Sequence, residues 1–148
     1  MSDYPDLKIG LAAEAEWPVT EETSTRRWGL EGIAVFATPD MIHLVEKAAS
    51  DAVELHLPEG RITVGTKVEI AHLAATPVGF TATARAELVE IDRRRLVFRI
   101  EVRDELDKVG EGVHERFIVD AAKVNEKMAE KAARKPTGCP PPTAEAVP

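Results

Sequence analysis

A single cysteine, Cys139, occurs in the 148 residues. One thiol among prolines excludes an internal disulfide framework and any multi-cysteine metal site, and it reads as a free tail thiol. Basic side chains are also in the minority, with 19 Lys and Arg against 26 Asp and Glu for a formal charge of −7. That balance argues against a nucleic-acid partner and requires any anionic ligand to be held by a local positive group. No apolar run approaches the ~20 residues of a membrane span. The opening "MSDYPDLKIG" lacks the charged-then-apolar pattern of a secretory signal, so a cytoplasmic protein with no membrane partner is expected.

Further absences narrow the chemistry. There is no G-x-S-x-G elbow between a strand and a helix and no phosphate loop. "GEGVHE" at Gly110 lacks the third glycine and following helix of a dinucleotide site. His43, His56, His72 and His114 form no metal-ligand spacing, so neither a metal nor a resident cofactor is expected. With no internal repeat and no second hydrophobic block, residues 1–135 are expected to form one domain. From Pro136 onward, "PTGCPPPTAEAVP" holds five of the ten prolines and almost no large apolar residue. Residues 136–148 therefore read as a disordered tail.

What remains is a patterned α+β chain. Thr38 is a favoured helix cap, Pro39 suits the first helical position, Asp40 complements the positive end of the helix dipole, and a helix is expected from Thr38 to about Leu57. On that helix Met41, Leu44, Val45, Ala48, Ala49, Ala52 and Val53 fall on one broad arc, with Glu46 at its margin. "ITVGTKVEIAHLAA" reads as a strand with Val64, Thr66, Val68, Ile70 and His72 on one side, ending at the turn signal "ATPVG". "FTATARAELVEI" and the run from Leu96 to Val102 alternate as a hairpin about Arg93 and Arg94, and "VHERFIV" supplies a further strand. These give four consecutive antiparallel strands beneath the helix. A weaker fifth strand, about Gly10 to Thr20, is confined by Pro18 to an edge or a strand end. A short amphipathic helix with a basic face is expected from Ala121 to Lys135.

Two residues sit where their chemistry conflicts with the pattern around them. Glu46, at the edge of a buried arc, is either a base partly removed from water or a carboxylate turned to solvent. His72, on a core-facing position, must find a hydrogen-bond partner and is either structural or catalytic.

The motifs "VFATPDMIHLVEKAA", "TVGTKVEIAHLAATPVGF", "ATARAELVEIDRRRLVFRIEVRDE" and "VGEGVHERFIV" resemble, in order and spacing, the fluoroacetyl-CoA thioesterase-like family of hot-dog proteins, over about Ile33 to Lys123. The resemblance implies a hot-dog fold, in which an antiparallel sheet wraps one long helix, and an acyl-CoA thioesterase acting on a small or medium acyl group. It implies a catalytic set of Thr38, Glu46 and His72. It also implies that Gly65 lines the acyl site and that Arg116 lies close to the histidine. The chain departs from the family in "RRWGLEGIAVF", where Trp28 stands in for part of an aromatic lid. Coenzyme A enters as part of the substrate, and its phosphates find basic candidates in Arg93, Arg94, Arg95 and the Lys-rich end helix. The alternative on the same fold is a non-catalytic binder of acyl-CoA or small acids. Thr38 and Glu46 are eight residues apart, about 12 Å along an unbroken helix. They cannot share a hydrogen bond, which predicts a homodimer whose sites combine groups from two subunits.

Overall fold

The computed structural model describes residues 3–138; the expected tail beyond residue 138, with Cys139, lies outside the described residues. In chain order the elements are β1 (Ala12–Pro18), α1 (Thr38–Val53), β2 (Arg61–His72), β3 (Thr81–Asp92), β4 (Arg95–Arg103), β5 (Lys108–Asp120) and α2 (Ala121–Ala133). Short 3-10 turns cover Thr25–Trp28 and Glu54–His56. The five strands form one antiparallel sheet in the order β1-β3-β4-β5-β2.

The expected arc of α1 is the face that packs. Met41, Leu44, Val45, Ala48, Ala49, Ala52 and Val53 are all buried, against a sheet face carrying Ala82, Ala84, Ala86, Leu88, Leu96, Phe98, Ile100 and Val102. Burial of each larger side chain contributes about 1.5–3 kcal/mol. The alanines of β3 let the helix lie close. Its first residues depart from expectation. Ala37 is the N-cap, extended and without a side-chain cap bond, and Thr38 is already helical. The Thr38 hydroxyl is therefore free for another partner. The helix closes at Val53 and tightens into the 3-10 turn, short of the expected Leu57.

Strand order corrects a second expectation. β2 does not pair with β3; it pairs with β5, and β1 takes the place beside β3, with Pro18 as its last residue at the sheet edge. The reason lies between His72 and Thr81. There Phe36 N–H donates to the Thr76 carbonyl (2.9 Å) and Val35 bridges to Pro77, so the chain passes the start of α1 before re-entering the sheet on the far side. α2 forms as expected on the Asp120 cap, but none of its residues is buried.

A bulge in β2 matters most for the site. The register with β5 shifts between Gly65 and Lys67, leaving Thr66 unpaired. Such an extra residue reverses which face later side chains occupy. Val64 and Thr66 accordingly do not share a side with Val68, Ile70 and His72. Val64 is exposed, and the Thr66 hydroxyl donates to Glu115 on the outer face. Gly65 and His72, seven residues apart, both face the helix side.

Candidate active site

Two clusters of polar side chains lie on that face. The first surrounds the start of α1. Thr38 Oγ1 and His72 Nδ1 are 2.8 Å apart, and His72 Nε2 is buried without a hydrogen-bond partner among the described residues. The Phe36 ring meets the imidazole edge to face at 6.1 Å. Burial holds the His72 pKa below its ordinary value, with the Ala74 backbone opposing, so the ring is neutral at pH 7.

Beside this pair lies a cavity of about 320 Å³, lined among others by Trp28, Leu30, Val35, Phe36, Thr38 and His72. It falls at the small end of ligand-pocket sizes. Trp28 is half exposed, and its indole N–H donates to Asp40 Oδ2 at 3.2 Å. Asp40 is itself buried and paired with Arg27, whose guanidinium stacks over both Trp17 and Trp28. The third residue of α1 thus holds the wall of the cavity in place. A larger hollow of about 740 Å³ on the outer face of the sheet is lined by Arg85, Glu87, Arg99, Glu101, Lys108 and Glu111, most of which pair with one another. It contains neither Thr38 nor an imidazole.

The second cluster centres on Arg116, which is 6% exposed and opposite Gly65 in the β2–β5 register. Its Nε donates to Thr63 Oγ1 (2.8 Å), its Nη2 to the Thr63 carbonyl (2.9 Å) and its Nη1 to His114 Nε2 (3.2 Å). His114 Nδ1 donates in turn to the Lys67 carbonyl at 2.8 Å. With Nε2 accepting and Nδ1 donating, His114 is the neutral Nδ1–H tautomer. Glu46 Oε2 lies 3.6 Å from Arg116 Nη1, an ion pair too long for a direct hydrogen bond. The Glu46 side chain is 45% exposed in the single chain, so the carboxylate at the margin of the arc is not dry here.

His114 is the residue that sequence reasoning missed. The signal was present, because alternation through "VHER" puts His114 and Arg116 on one face of β5, an unusual pair for an inner face. Within one chain Arg116 touches His114 and lies away from His72. His72 pairs with Gly110 and Gly65 with Arg116, six residues further along β5. That separates the two clusters by roughly 20 Å within one chain.

Gly65 is open space for Glu46. A Cβ built there would lie 3.1–3.2 Å from the Glu46 carboxylate. Since the obstacle is the tip of a flexible side chain, Gly65→Ala should fold with a Tm within about 2 °C of wild type. Moving the carboxylate by a few tenths of an ångström should lower kcat/KM by about 10-fold or more. Thermal melts and kinetics on the same preparation check both.

The buried imidazoles predict the acid response. Burial lowers the His114 pKa, which the Lys67 carbonyl opposes, Arg116 reinforces and Glu46 opposes. His72 is shifted the same way. Below the unfolded value of about 6.5 the unfolded chain binds more protons, so stability rises with pH through that window. The contribution is complete above about pH 6.5 and is lost as pH falls through the folded pKa values. Urea midpoints should therefore drop between pH 7.5 and pH 5, and His114→Gln should flatten part of the drop.

A five-stranded sheet curled on one long helix, with a Thr–His pair and a Glu–Arg–His chain on its inner face, defines a hot-dog domain of the thioesterase class. The chain belongs to the fluoroacetyl-CoA-specific thioesterase family, whose model matches residues 19–122. A fluoroacetyl-CoA thioesterase from Streptantibioticus cattleyicolor is 40% identical over 97 residues, 66% of this chain and 70% of that protein. The solved fluoroacetyl-CoA thioesterase FlK superposes with a TM-score of 0.78 at 33% identity, covering 84% of this chain and 97% of that one. A thioesterase superfamily member from Thermus thermophilus gives 0.77 at 30% identity, covering 86% and 94%.

Proposed function

We propose that the chain hydrolyses small acyl-CoA thioesters as a homodimer. Each site would combine Glu46, Gly65 and Arg116 of one subunit with Thr38 and His72 of the partner subunit. The reaction class follows from the family; the composite site is our reading, and the separation of the two clusters along an uncovered edge strand carries it. β2 is that edge, twelve residues long, with Ile62 and Val64 exposed. A long unpaired edge invites a second strand. Antiparallel pairing of two β2 strands about a two-fold near Glu69, with the bulge at Thr66, sets Gly65 beside the partner subunit's His72. Both residues face inward.

In this site Glu46 is the general base that takes a proton from water, and Arg116, held by His114 and Thr63, orients the carboxylate. The water oxygen attacks the thioester carbonyl. His72 Nδ1–H donates to Thr38 Oγ1, which leaves the Thr38 hydroxyl hydrogen at the cavity wall to donate to the carbonyl oxygen as charge develops there. Collapse expels the thiolate, a good leaving group, the proton held by Glu46 passes to it, and the products are the free acid and coenzyme A. No cofactor is needed, since coenzyme A arrives with the substrate. A cytoplasmic location suits that substrate, and no helix among the described residues is long and apolar enough to cross a membrane.

Thiol release from acetyl-, branched, aromatic and long-chain acyl-CoA tests the reading. The 320 Å³ cavity predicts the highest kcat/KM for short acyl groups. Binding of every compound without thiol release would reject hydrolysis in favour of a binding protein.

A further inference from the structure

A third cavity, of about 190 Å³ and basic in its lining, lies where the start of β2 and the end of β5 meet α2 and the β3–β4 turn. Arg61, Arg94, Lys123 and Lys127 bring four cations to it, against one carboxylate, Asp120. Asp120 is already engaged. Its Oδ2 accepts from Arg61 Nη1 at 2.9 Å, and its Oδ1 accepts from the backbone N–H groups of Ala122 (3.0 Å) and Lys123 (3.3 Å). Among the described residues, Arg94, Lys123 and Lys127 make no salt bridge. Asp120 also attracts Lys123, so one carboxylate, already bonded, faces four cations, a local positive excess that favours an anion in a chain of charge −7.

The cavity also stands at a fitting distance from the proposed site. Arg61, Thr63 and Gly65 share one face of β2 ahead of the bulge, so the cavity lies about 13 Å along the strand from Gly65. The pantetheine arm between a thioester sulfur and the first phosphorus is about thirteen bonds long, equivalent to roughly four extended residues or about 14–15 Å. The volume is below the roughly 300 Å³ that encloses a whole drug-sized ligand, which suits a phosphate end rather than a complete nucleotide. Lys123 and Lys127 lie past residue 122, where the family match ends.

We propose that the cavity between β2, β5, the β3–β4 turn and α2 binds a phosphate group of the coenzyme A moiety, with Arg94, Lys123 and Lys127 as its charged donors. The inference rests on the acyl-CoA reading of the site and adds the means by which the nucleotide end is held. Lys123 and Lys127 are both exposed, so Lys123→Ala/Lys127→Ala leaves the fold intact.

The test compares wild type and this double variant on acetyl-CoA and on S-acetylpantetheine, which lacks the phosphates. KM for acetyl-CoA should rise about 10-fold with kcat unchanged, and the pantetheine substrate should show no change. An equal shift for both substrates, or for neither, overturns the proposal. Calorimetric titration with adenosine 3′,5′-bisphosphate gives a readout independent of turnover. Should wild type hydrolyse no thioester, the functional reading fails, yet bisphosphate binding that the double variant weakens would still support the cavity. No binding by wild type, or equal binding by both, overturns it. Displacement of the bisphosphate by inorganic phosphate at equal concentration marks a generic anion site and overturns it as well.

Discussion

Replacing Glu46 by Gln should lower kcat for acyl-CoA hydrolysis by about 10²- to 10⁴-fold, the usual contribution of a positioned general base. Gln keeps the shape and loses the proton acceptor. Because the side chain is 45% exposed and its ion pair with Arg116 is 3.6 Å long, the stability cost should stay at about 1 kcal/mol or less. The informative result comes from mixing. Thr38→Ala subunits and Glu46→Gln subunits are each inactive as homodimers. In a mixed dimer one site inherits both lesions, and the other combines an intact Glu46 with an intact Thr38 and His72. If subunits associate at random, half of the dimers are mixed and about a quarter of wild-type activity returns. A site confined to one chain would give no recovery, and tagged subunits purified as mixed dimers would make that outcome decisive.

Much of this fold could be read from periodicity because its core-facing residues repeat without interruption. The seven-residue arc of α1 and the alternation from Ala82 to Leu88 and from Leu96 to Val102 are all buried as expected. Periodicity failed where the backbone broke its own count. The bulge at Thr66 adds a residue that no alternation rule announces, and it alone puts Gly65 and His72 on the same face. Strand order also escaped local reading. The hydrophobic pattern of β2 suits a neighbour on either side, and the pairing with β5 is decided by the path of residues 73–80 across the start of α1.

The candidate site was legible as a set of residues and not as an arrangement. Thr38 was expected to cap the helix, but Ala37 takes that place and the hydroxyl goes to His72. Arg116 was expected close to His72, and within one chain the register puts it beside His114. The eight-residue spacing of Thr38 and Glu46 carried the one geometric conclusion that needed no fold, since an unbroken helix cannot bring them together. The β2–β5 register then holds the two clusters apart on the opposite side of the site, by roughly 20 Å.

Gly112→Ala should produce the largest loss of stability of any single methyl added to this chain's inner strands. Glycine is needed there for space and not for its backbone angles, since Gly112 is absent from the residues with positive φ. It lies in β5 between Ile70 of β2 and Ile100 of β4. A Cβ would fall 1.9 Å from the Glu69 carbonyl oxygen and 3.0 Å from the Ile70 Cα. Both obstacles are backbone, so no rotamer change relieves the contact, and the β2–β5 ladder must part locally. Overpacking of this kind costs about 3 kcal/mol or more, which for a chain of this length lowers Tm by roughly 6–12 °C. Gly32→Ala, with nothing within 4 Å of the added carbon and no positive φ, should leave Tm unchanged and serves as the control. Because the two inward groups of β2, Gly65 and His72, lie on either side of the disturbed pair, activity should fall further than the folded fraction alone explains. A variant that melts with wild type would show that β2 and β5 are spaced more widely than described, and with them the register that places Arg116 opposite Gly65.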